Sequence, residues 1–441
     1  EIEKEGKGLL DNEVRAICVL KNGQIWVGTK AGKVHVYDDG YRYRGFLNSR
    51  GEVVMQGEPL KGVAYCIKQD SQGRIWIATK GDGLIRLEKL TDRTWSVMRY
   101  RHDANIPKSL CHNNVYSVLE DNLGRIWVAT YGGGIAMLNP KDAKPEFVNW
   151  RNGLDGYPIQ ACDKARHLSM DARGRIWIAT TAGALRMDMV DGDPSKATFE
   201  HYYSDTKERH SLSANDVHWI EHTPQGETYM ATFGGGLNLM LPEGEQKGKV
   251  TFEQIGREEG VASDILLAIC PDRWGNLWMA TENGISQLNI PMRSIRNFNR
   301  LAPRLRMTEA AIAHDNHGQI LMGTSDGLLM FRPEAMRKSL YIPNMIWTEL
   351  RIGNRKLQPD SCQVLHLNHD ENNIHLQYAA IDFTNPQTVQ YAYRLKGWDT
   401  GWNYVGANRT ATYTNLPPGE YTLEVRSTNA DGVWAPNNRS L

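Results

Sequence analysis

The sequence has no excess of either charge: 51 Lys and Arg balance 51 Asp and Glu over 441 residues. A general nucleic-acid binder carries a basic surplus, so no nucleic-acid partner is expected, although a local basic patch remains open. No apolar run approaches the length of a membrane span. The chain opens EIEKEGKG, without the basic start and apolar centre of a secretion signal. A beginning inside a repeat pattern is what a mature fragment is expected to show. Cysteines number only six, and none forms a Cys-x-x-Cys pair, which removes the usual zinc and redox frameworks. Cys18, Cys66 and Cys270 are read as sharing one phase of a repeat, as small buried hydrophobes. Cys111 and Cys162 fall in loops of neighbouring repeats, where a disulfide is open but not favoured. No metal and no cofactor is expected.

What the chain has in quantity is glycine, 41 residues, and it is periodic. Gly124-Arg-Ile-Trp-Val-Ala-Thr130 recurs as GRIWIAT at 73–79 and 174–180, GQIWVGT at 23–29 and GNLWMAT at 275–281. Looser copies are GETYMAT at 226–232 and GQILMGT at 318–324. The seven copies lie 43 to 52 residues apart, measured from Trp26 through Trp76, Trp127, Trp177, Tyr229 and Trp278 to Leu321. A fixed period of this size denotes repeated supersecondary units. In the third unit, Val115–Leu119 is a β-rich run and Asp121-Asn-Leu-Gly124 a turn whose glycine can take positive φ. Ile126–Thr130 is a second strand, Gly132-Gly-Gly134 a tight turn, Ile135–Leu138 a third strand and Phe147–Trp150 a fourth. Four short antiparallel strands make one blade of a β-propeller. IWVAT does not alternate apolar with polar, so both of its faces must be covered. Neighbouring blades supply that cover, and the tryptophan fills the gap between them. The closing threonine is assigned a bond to nearby backbone.

The expected fold is all-β: a seven-bladed β-propeller over 1–333, followed by an immunoglobulin-like β-sandwich. The last repeat offers three strands, 310–314, 320–324 and 328–331. Glu1 to Lys4 stand where a fourth strand stands elsewhere, so the N-terminal strand is predicted to close the last blade and leave no open edge. Beyond Pro333 the period stops. Residues 334–344 read as a linker and 345–441 as the sandwich. Its strands are expected at 346–350, 374–378, 390–395, 411–414 and 421–427, with a turn at Leu416-Pro-Pro-Gly419. The chain ends seven residues past Trp434, so the last strand of the sandwich is expected to be cut short.

The recurring Asp-x-x-Gly-x-[Ile/Leu]-Trp-x-[Ala/Gly]-Thr resembles the two-component regulator propeller repeat. Tyr391-Ala-Tyr-Arg-Leu-Lys-Gly-Trp398, Trp402, Tyr413-Thr-Asn-Leu-Pro-Pro-Gly-Glu-Tyr421 and Arg426-Ser-Thr-Asn-Ala-Asp-Gly-Val-Trp434 resemble the three-tyrosine domain that follows such propellers. Together these stretches span nearly the whole chain in the right order. The resemblance implies the periplasmic sensor region of a hybrid two-component system of gut Bacteroidetes. Such a region is the ectodomain of an inner-membrane protein, next to the membrane but not inserted. It is expected to bind an oligosaccharide from polysaccharide breakdown, and to pair as a homodimer through the sandwich. The kinase lies in the cytoplasmic part, so this region is expected to be no enzyme. Such sensors usually carry two propellers before the sandwich, and one is present here. The chain is therefore expected to be either the carboxy-terminal half of an ectodomain or a single-propeller member, and a site spanning two propellers would be present only in part.

Function is to be sought where the copies differ. The loops from fourth strand to next first strand, and the turns between second and third strands, share one face of a propeller. On the turns the candidates for ligand contact are Lys30, Lys80, Asp82, Tyr131, Phe233 and Glu282. On the loops they are Arg101, His102, Asn113, Arg151, Tyr157, Gln160, Asp163, His210 and Asn215. Amides, carboxylates and imidazoles pair with hydroxyls while aromatic rings cover the apolar face of a pyranose. Lys30, Lys80, Arg101 and Arg151 around one mouth would suit an acidic sugar. For any single one of them, a solvated or turn-capping role competes with ligand contact. Gly132-Gly-Gly134 and Gly234-Gly-Gly236 precede no helix and read as turns, not phosphate loops. The repeated Asp-x-x-Gly carboxylates read as structural, not as calcium ligands. His218-Trp219 is assigned to packing or hydrogen bonding inside the ring, and Tyr391, Tyr393, Tyr413 and Tyr421 to core and cross-strand pairs. Two other functions stay open. One is a propeller enzyme, a lyase or glycan-cleaving, that drafts His102, His112, His210 or Asp163 as acid or base. The other is a protein-interaction scaffold.

Overall fold

A computed structural model of the chain describes residues 13–241, 250–298, 306–336, 341–353, 355–357, 364–382, 389–429, 433–435 and 439–441. The chain divides into two compact units, Glu1–Pro333 and Glu334–Leu441. In the first unit the described strands form seven sheets, one for each repeat. We number these blades 1 to 7. Their first strands are Val14–Val19, Val63–Gln69, Val115–Glu120, Ala165–Met170, Val217–His222, Leu266–Pro271 and Met307–His314. Each pairs antiparallel with its repeat strand, from Ile25–Thr29 in blade 1 to Ile320–Thr324 in blade 7. Blades 2 to 6 have four strands in sequential order, blade 1 adds a fifth at Val53–Val54, and blade 7 has three among the described residues. Glu1–Lys4, expected to complete blade 7, lie outside the described residues. The ring closes by packing: Val14, Ile25 and Val27 share a core with Ala311 and Leu321. Thr308 Oγ1 of blade 7 donates to the Val14 carbonyl of blade 1 at 2.6 Å.

The repeat works as a unit of hydrogen bonding. Asp121 Oδ1 accepts from the backbone N–H of Leu123 and Arg125, both at 3.0 Å. Its Oδ2 accepts from the Trp127 indole at 2.8 Å. Asp70, Asp171 and Asp272 do the same for Trp76, Trp177 and Trp278, at 2.9, 3.0 and 2.8 Å. The glycine three residues before each ring has a φ of 78–84° in these blades, a conformation that side chains avoid, as at Gly73, Gly124, Gly174 and Gly275, with φ of 84, 78, 79 and 79°. The buried ring then crosses into the next blade. Trp26 packs among Leu60, Ile67 and Trp95 of blade 2, and Trp127 among Leu154, Leu168 and Ile178 around blade 4. Each repeat strand ends on a threonine whose hydroxyl donates across the following turn. Thr130 bonds the Gly134 carbonyl at 2.9 Å and Thr79 the Gly83 carbonyl at 2.7 Å. Among the cysteines, Cys18 and Cys270 pair with Trp26 and Trp278. Cys66 pairs with Ala78 and so stands two residues earlier in its strand, out of the phase expected of it. Cys111 and Cys162 are buried free thiols.

The second unit has two four-stranded sheets. One comprises Arg355–Leu357, Asn344–Ile352, Ile374–Ile381 and Thr410–Tyr413, and the other Asn403–Gly406, Tyr391–Lys396, Thr422–Ser427 and Arg439–Ser440. Their inner faces enclose a core of Trp347, Leu350, Tyr378, Tyr391, Leu395 and Val425. Tyr378 meets Tyr391 and Tyr393 meets Tyr413, with ring centroids 5.5 and 5.8 Å apart. Tyr421 sits just before its strand and donates to the Pro417 carbonyl at 3.0 Å. Among the described residues no helix is long and apolar enough to cross a membrane.

Asp171 makes the turn testable. Burial opposes its charge, yet the hydrogen bonds from Trp177 and Arg175 outweigh burial and hold its pKa below the usual value. Ionised Asp171 therefore contributes stability above the unfolded-state pKa of about 4. That contribution is lost as pH falls through the lower folded pKa. Asp171→Asn is expected to destabilise the propeller by about 1–3 kcal/mol at neutral pH. The gap in urea midpoint between variant and wild type should narrow below about pH 4. A gap independent of pH would show that the carboxylate charge is not what holds the turn.

Candidate functional site

The first strands of neighbouring blades stand side by side around the ring. In six of them one residue, the second of the strand or in blade 2 the third, is a β-bulge, skipped in the ladder between Val14 and Ala16, Ala64 and Cys66, Val115 and Ser117, Ala165 and His167, Val217 and Trp219, and Leu266 and Ala268. Blade 7 has a wider irregularity between Met307 and Ile312. A bulge bends its strand and re-aims the extra side chain. The re-aimed residues are Arg15, Tyr65, Tyr116, Arg166, His218 and Leu267, with Glu309 in blade 7. All but Arg15 line one cavity of about 20 Å³ together with Ala310. That is room for about one water molecule. The cavity is a neck, and anything larger must rest on the residues around it.

The chemistry around this neck is one-sided. Tyr65 and Tyr116 pack with centroids 4.5 Å apart, and Tyr131, from the following turn of blade 3, meets Tyr116 edge-on at 5.1 Å. Lys80 lies 6.0 Å from the Tyr65 ring, and Lys164 and Arg166 lie 5.7 and 5.3 Å from the Tyr131 ring. Arg166 Nε then pairs with Asp216 at 3.0 Å, and its NH1 stands 3.8 Å from Glu309. The buried His218 imidazole is 3.5 Å from Asp216 and 3.8 Å from Glu309. Exposed Phe233 stacks on it, with centroids 5.3 Å apart. Burial opposes the charge of Asp216, but His218 and Arg166 outweigh it and keep the carboxyl below its usual range. Burial, with Tyr65 alongside, pushes the Tyr116 hydroxyl up to about 12, so it stays a neutral donor.

In blades 3 and 4 the next residue of the strand ties blade to blade. Ser117 Oγ accepts from Leu168 N at 3.1 Å, and His167 Nδ1 accepts from Ile220 N at 3.3 Å. These bonds occupy N–H groups on the exposed edge of the following first strand. Burial and the Lys68 ammonium push the pKa of His167 down to about 3. Its ring is therefore neutral and can accept, stacked 3.8 Å from Trp219.

Of the residues expected on this face, Lys30, Lys80, Tyr131, Phe233 and Glu282 take one equivalent position, directly after the closing threonine. Tyr131 and Phe233 bridge to Lys164 and Ile265, at the entry of the next blade, and Lys80 bridges to Asn114. Glu282 is exposed, its N–H bonded to the Ile265 carbonyl. Lys30 is ion-paired with Glu13 at 2.8 Å, and Glu13 also binds Arg15. The remaining candidates are tied into their loops. Asp82 binds both Arg99 and Arg101, so the Arg101 guanidinium is held in a local ion pair and does not cluster with Lys30 and Lys80. Arg151 likewise braces a loop, donating to the Ile106 carbonyl at 3.3 Å and Ser109 Oγ at 3.4 Å. Tyr157 is buried in the core between blades 3 and 4, its hydroxyl donating to the Cys162 carbonyl at 2.6 Å. His102 Nδ1 is 2.8 Å from the Leu110 carbonyl. Asn113 and Asn215 accept from the backbone of His102 and Ser204 at 2.8 and 2.7 Å. The Asp163 carbonyl accepts from Gly132 and Gly134, and the His210 carbonyl from Phe252. Gln160 is exposed on the short helix Ile159–Cys162.

Sequence reasoning passed over Arg15, Tyr65, Tyr116, Arg166 and Glu309. Their signal was present: with the repeats superposed, the bulged position of the first strand reads Arg, Tyr, Tyr, Arg, His, Leu, against a background of apolar neighbours. Two larger concavities, of about 390 and 480 Å³, lie among residues of the Asp-x-x-Gly turns, at the other end of blades 1–2 and 3–4. Arg125 and Arg175, which line the second, are held by Asp121 and Asp171 at 2.7 and 2.6 Å, as part of the turn scaffold.

The family model described as "Two component regulator propeller" matches residues 8–31, 59–81 and 109–132, and that of the Y_Y_Y domain matches 382–441. The chain carries two-component regulator propeller repeats and a Y_Y_Y domain. It is 23% identical over 438 residues to Histidine kinase P4 of Formosa agariphila, covering 96% of this chain and 30% of that protein. The extracellular domain of a hybrid two component system from B. thetaiotaomicron superposes with a TM-score of 0.77 at 22% identity, covering 100% of this chain and 56% of that one. The chain thus spans under a third of the kinase and little more than half of the solved domain. The virginiamycin B lyase of Staphylococcus aureus matches with a TM-score of 0.51 at 14% identity, covering 73% of this chain and 94% of that one. Both structural likenesses show the fold.

Asp216→Ala leaves Arg166 and His218 with Glu309 as their nearest carboxylate. A loss of about 1–3 kcal/mol is expected, whereas Phe233→Ala, at an exposed ring, should cost under about 1 kcal/mol. Equal effects of the two on the urea midpoint would dissolve the network described here.

Proposed function

We propose that this chain is the periplasmic ligand-sensing region of a membrane-bound hybrid histidine kinase, and that the channel mouth of its propeller binds an oligosaccharide from polysaccharide breakdown. One observation carries the reading. Around a uniform scaffold, three tyrosines, a histidine and a phenylalanine stand among ammonium, guanidinium and carboxylate groups at a single level of the ring. Aromatic faces for pyranose rings and polar groups for hydroxyls are what a sugar site requires. The likeness to a histidine kinase and to the extracellular domain of a hybrid two component system supports the sensor role. In this reading the propeller occupies 1–333, a linker 334–344 and the sandwich 345–441, which pairs with a second copy and passes the signal on. A ligand that binds one arrangement better than another shifts the population toward it.

The enzyme reading is weaker for a geometric reason. His218 and Glu309, 3.8 Å apart, are the acid–base pair that lines the neck, and the cavity they face is the size of one water. A scissile bond does not fit there.

Thermal unfolding against a panel of plant, host and microbial oligosaccharides tests the proposal. A true ligand at a hundred times its Kd stabilises the native state by about 2.7 kcal/mol. That gain should vanish in Tyr131→Ala, whose loss of stability without ligand, from one aromatic pair, should be about 0.5–1.5 kcal/mol. Stabilisation that survives Tyr131→Ala would place the ligand elsewhere.

A further inference from the structure

We propose, building on the reading of the mouth as a glycan site, that its ligand is anionic. The class is an oligosaccharide bearing carboxylate or sulfate groups, with its rings over Tyr65, Tyr116 and Tyr131 and its acid groups on Lys80 and Lys164.

The argument is an accounting of charge around the neck. Glu13 is bound by Arg15 and Lys30. Asp216 and Glu309 face Arg166 and His218. Lys80 and Lys164 are different: both are exposed, and among the described residues neither has a carboxylate within ion-pair distance. Each instead stands at one end of the tyrosine series, Lys80 at 6.0 Å from Tyr65 and Lys164 at 5.7 Å from Tyr131. Two ammonium groups without a carboxylate partner therefore bracket a row of three tyrosine rings, inclined at 53° and 80° to one another. A neutral glycan laid along them would give both ammonium groups hydroxyl oxygens but no opposite charge in exchange for the water it strips, which costs free energy. An anionic glycan replaces the lost water with charge-assisted hydrogen bonds. Apart from Glu13, which Arg15 and Lys30 hold on blade 1, the carboxylates of the mouth, with exposed Glu282, stand on blades 5 to 7, and they disfavour acid groups on that side. Net charge over the whole chain is zero, so the attraction is local to this site.

Isothermal titration of the protein separates the two levels of the reading. The probes are tetragalacturonate, its carboxyl-reduced counterpart of the same linkage, a chondroitin sulfate tetrasaccharide and cellotetraose. At least one acidic probe should bind more tightly than either neutral one, and more weakly as salt rises. Lys80→Ala and Lys164→Ala should each weaken it about 10-fold, the loss of one charge-assisted contact. Both positions are exposed, so the melting temperature without probe should not move. Binding of a neutral probe as tightly as the acidic ones, or indifference to both lysine variants, overturns the anionic assignment and leaves the glycan site standing. Failure of all four probes to bind overturns both.

Discussion

Six of the seven blades of this propeller must bury a large ring without stranding its polar atom. An indole sealed between two blades fills the gap well, but its N–H would be costly there without a partner. The turn aspartate resolves this by acting in two directions. One oxygen closes the turn onto backbone N–H groups, and the other receives the indole. Turn geometry and inter-blade packing thus become one event. Where one partner changes, the other side changes with it. Blade 7 has Leu321 in place of the ring, and the freed Asp315 oxygen accepts from Tyr41 of blade 1 at 2.5 Å. That bond ties the seam where the chain's two ends of the ring meet. Blade 5 replaces Asp with Thr223 and Trp with Tyr229, whose hydroxyl reaches Glu227 at 3.4 Å. Blade 1 has Leu20 instead of Asp, and the Trp26 N–H has only a 3.5 Å approach to Gln24.

A scaffold held at its outer seams leaves the inner strands free to vary. The first strand of each blade has one edge toward the axis, and an open edge is a liability. Here it is managed twice. A bulge distorts the strand near its start, and side chains such as Ser117 and His167 occupy the N–H groups of the neighbour. The bulge has a second consequence. It points one residue per blade at the axis without altering the ladder that follows, so that residue can change without disturbing the strand pairing. Structural constraint and chemical freedom are separated within a single strand, one position apart.

This separation explains what was legible in the sequence. The Gly-x-Ile-Trp-x-Ala-Thr frame is loud because packing and hydrogen bonding demand the same residues each time. Blade number, strand order and the inter-blade role of the ring follow from it. The Asp–indole bond joins residues six apart across a turn, and the repeat displays it only to a reader who asks where the ring N–H goes. The site was less legible because a bulge is a register shift, invisible to a reading of strand periodicity. Tyr65 and Tyr116 look like ordinary strand residues until the ladder is known to skip them. Tyr131 and Phe233 could be found because the threonine before them marks the turn. Arg101 and Arg151 are surface loop arginines by sequence, and only coordinates reveal that Asp82 and a backbone carbonyl hold them.

The ring has near-sevenfold backbone symmetry, but the groups it presents do not. Blades 2 to 4 contribute tyrosines and lysines, and blades 5 to 7 an aspartate, a histidine and two glutamates. Arg166 stands at the border, touching the Tyr131 ring on one side and Asp216 on the other. A symmetric ring could not tell one end of a chain-like ligand from the other. Here the tyrosines and lysines lie opposite most of the carboxylates, so an acidic ligand of the kind proposed would, if turned around, set its acid groups against carboxylates. Orientation of that kind is needed if occupancy is to be felt in one direction only. The asymmetry is thus built from single residues at bulges and turns, on a frame whose own chemistry repeats.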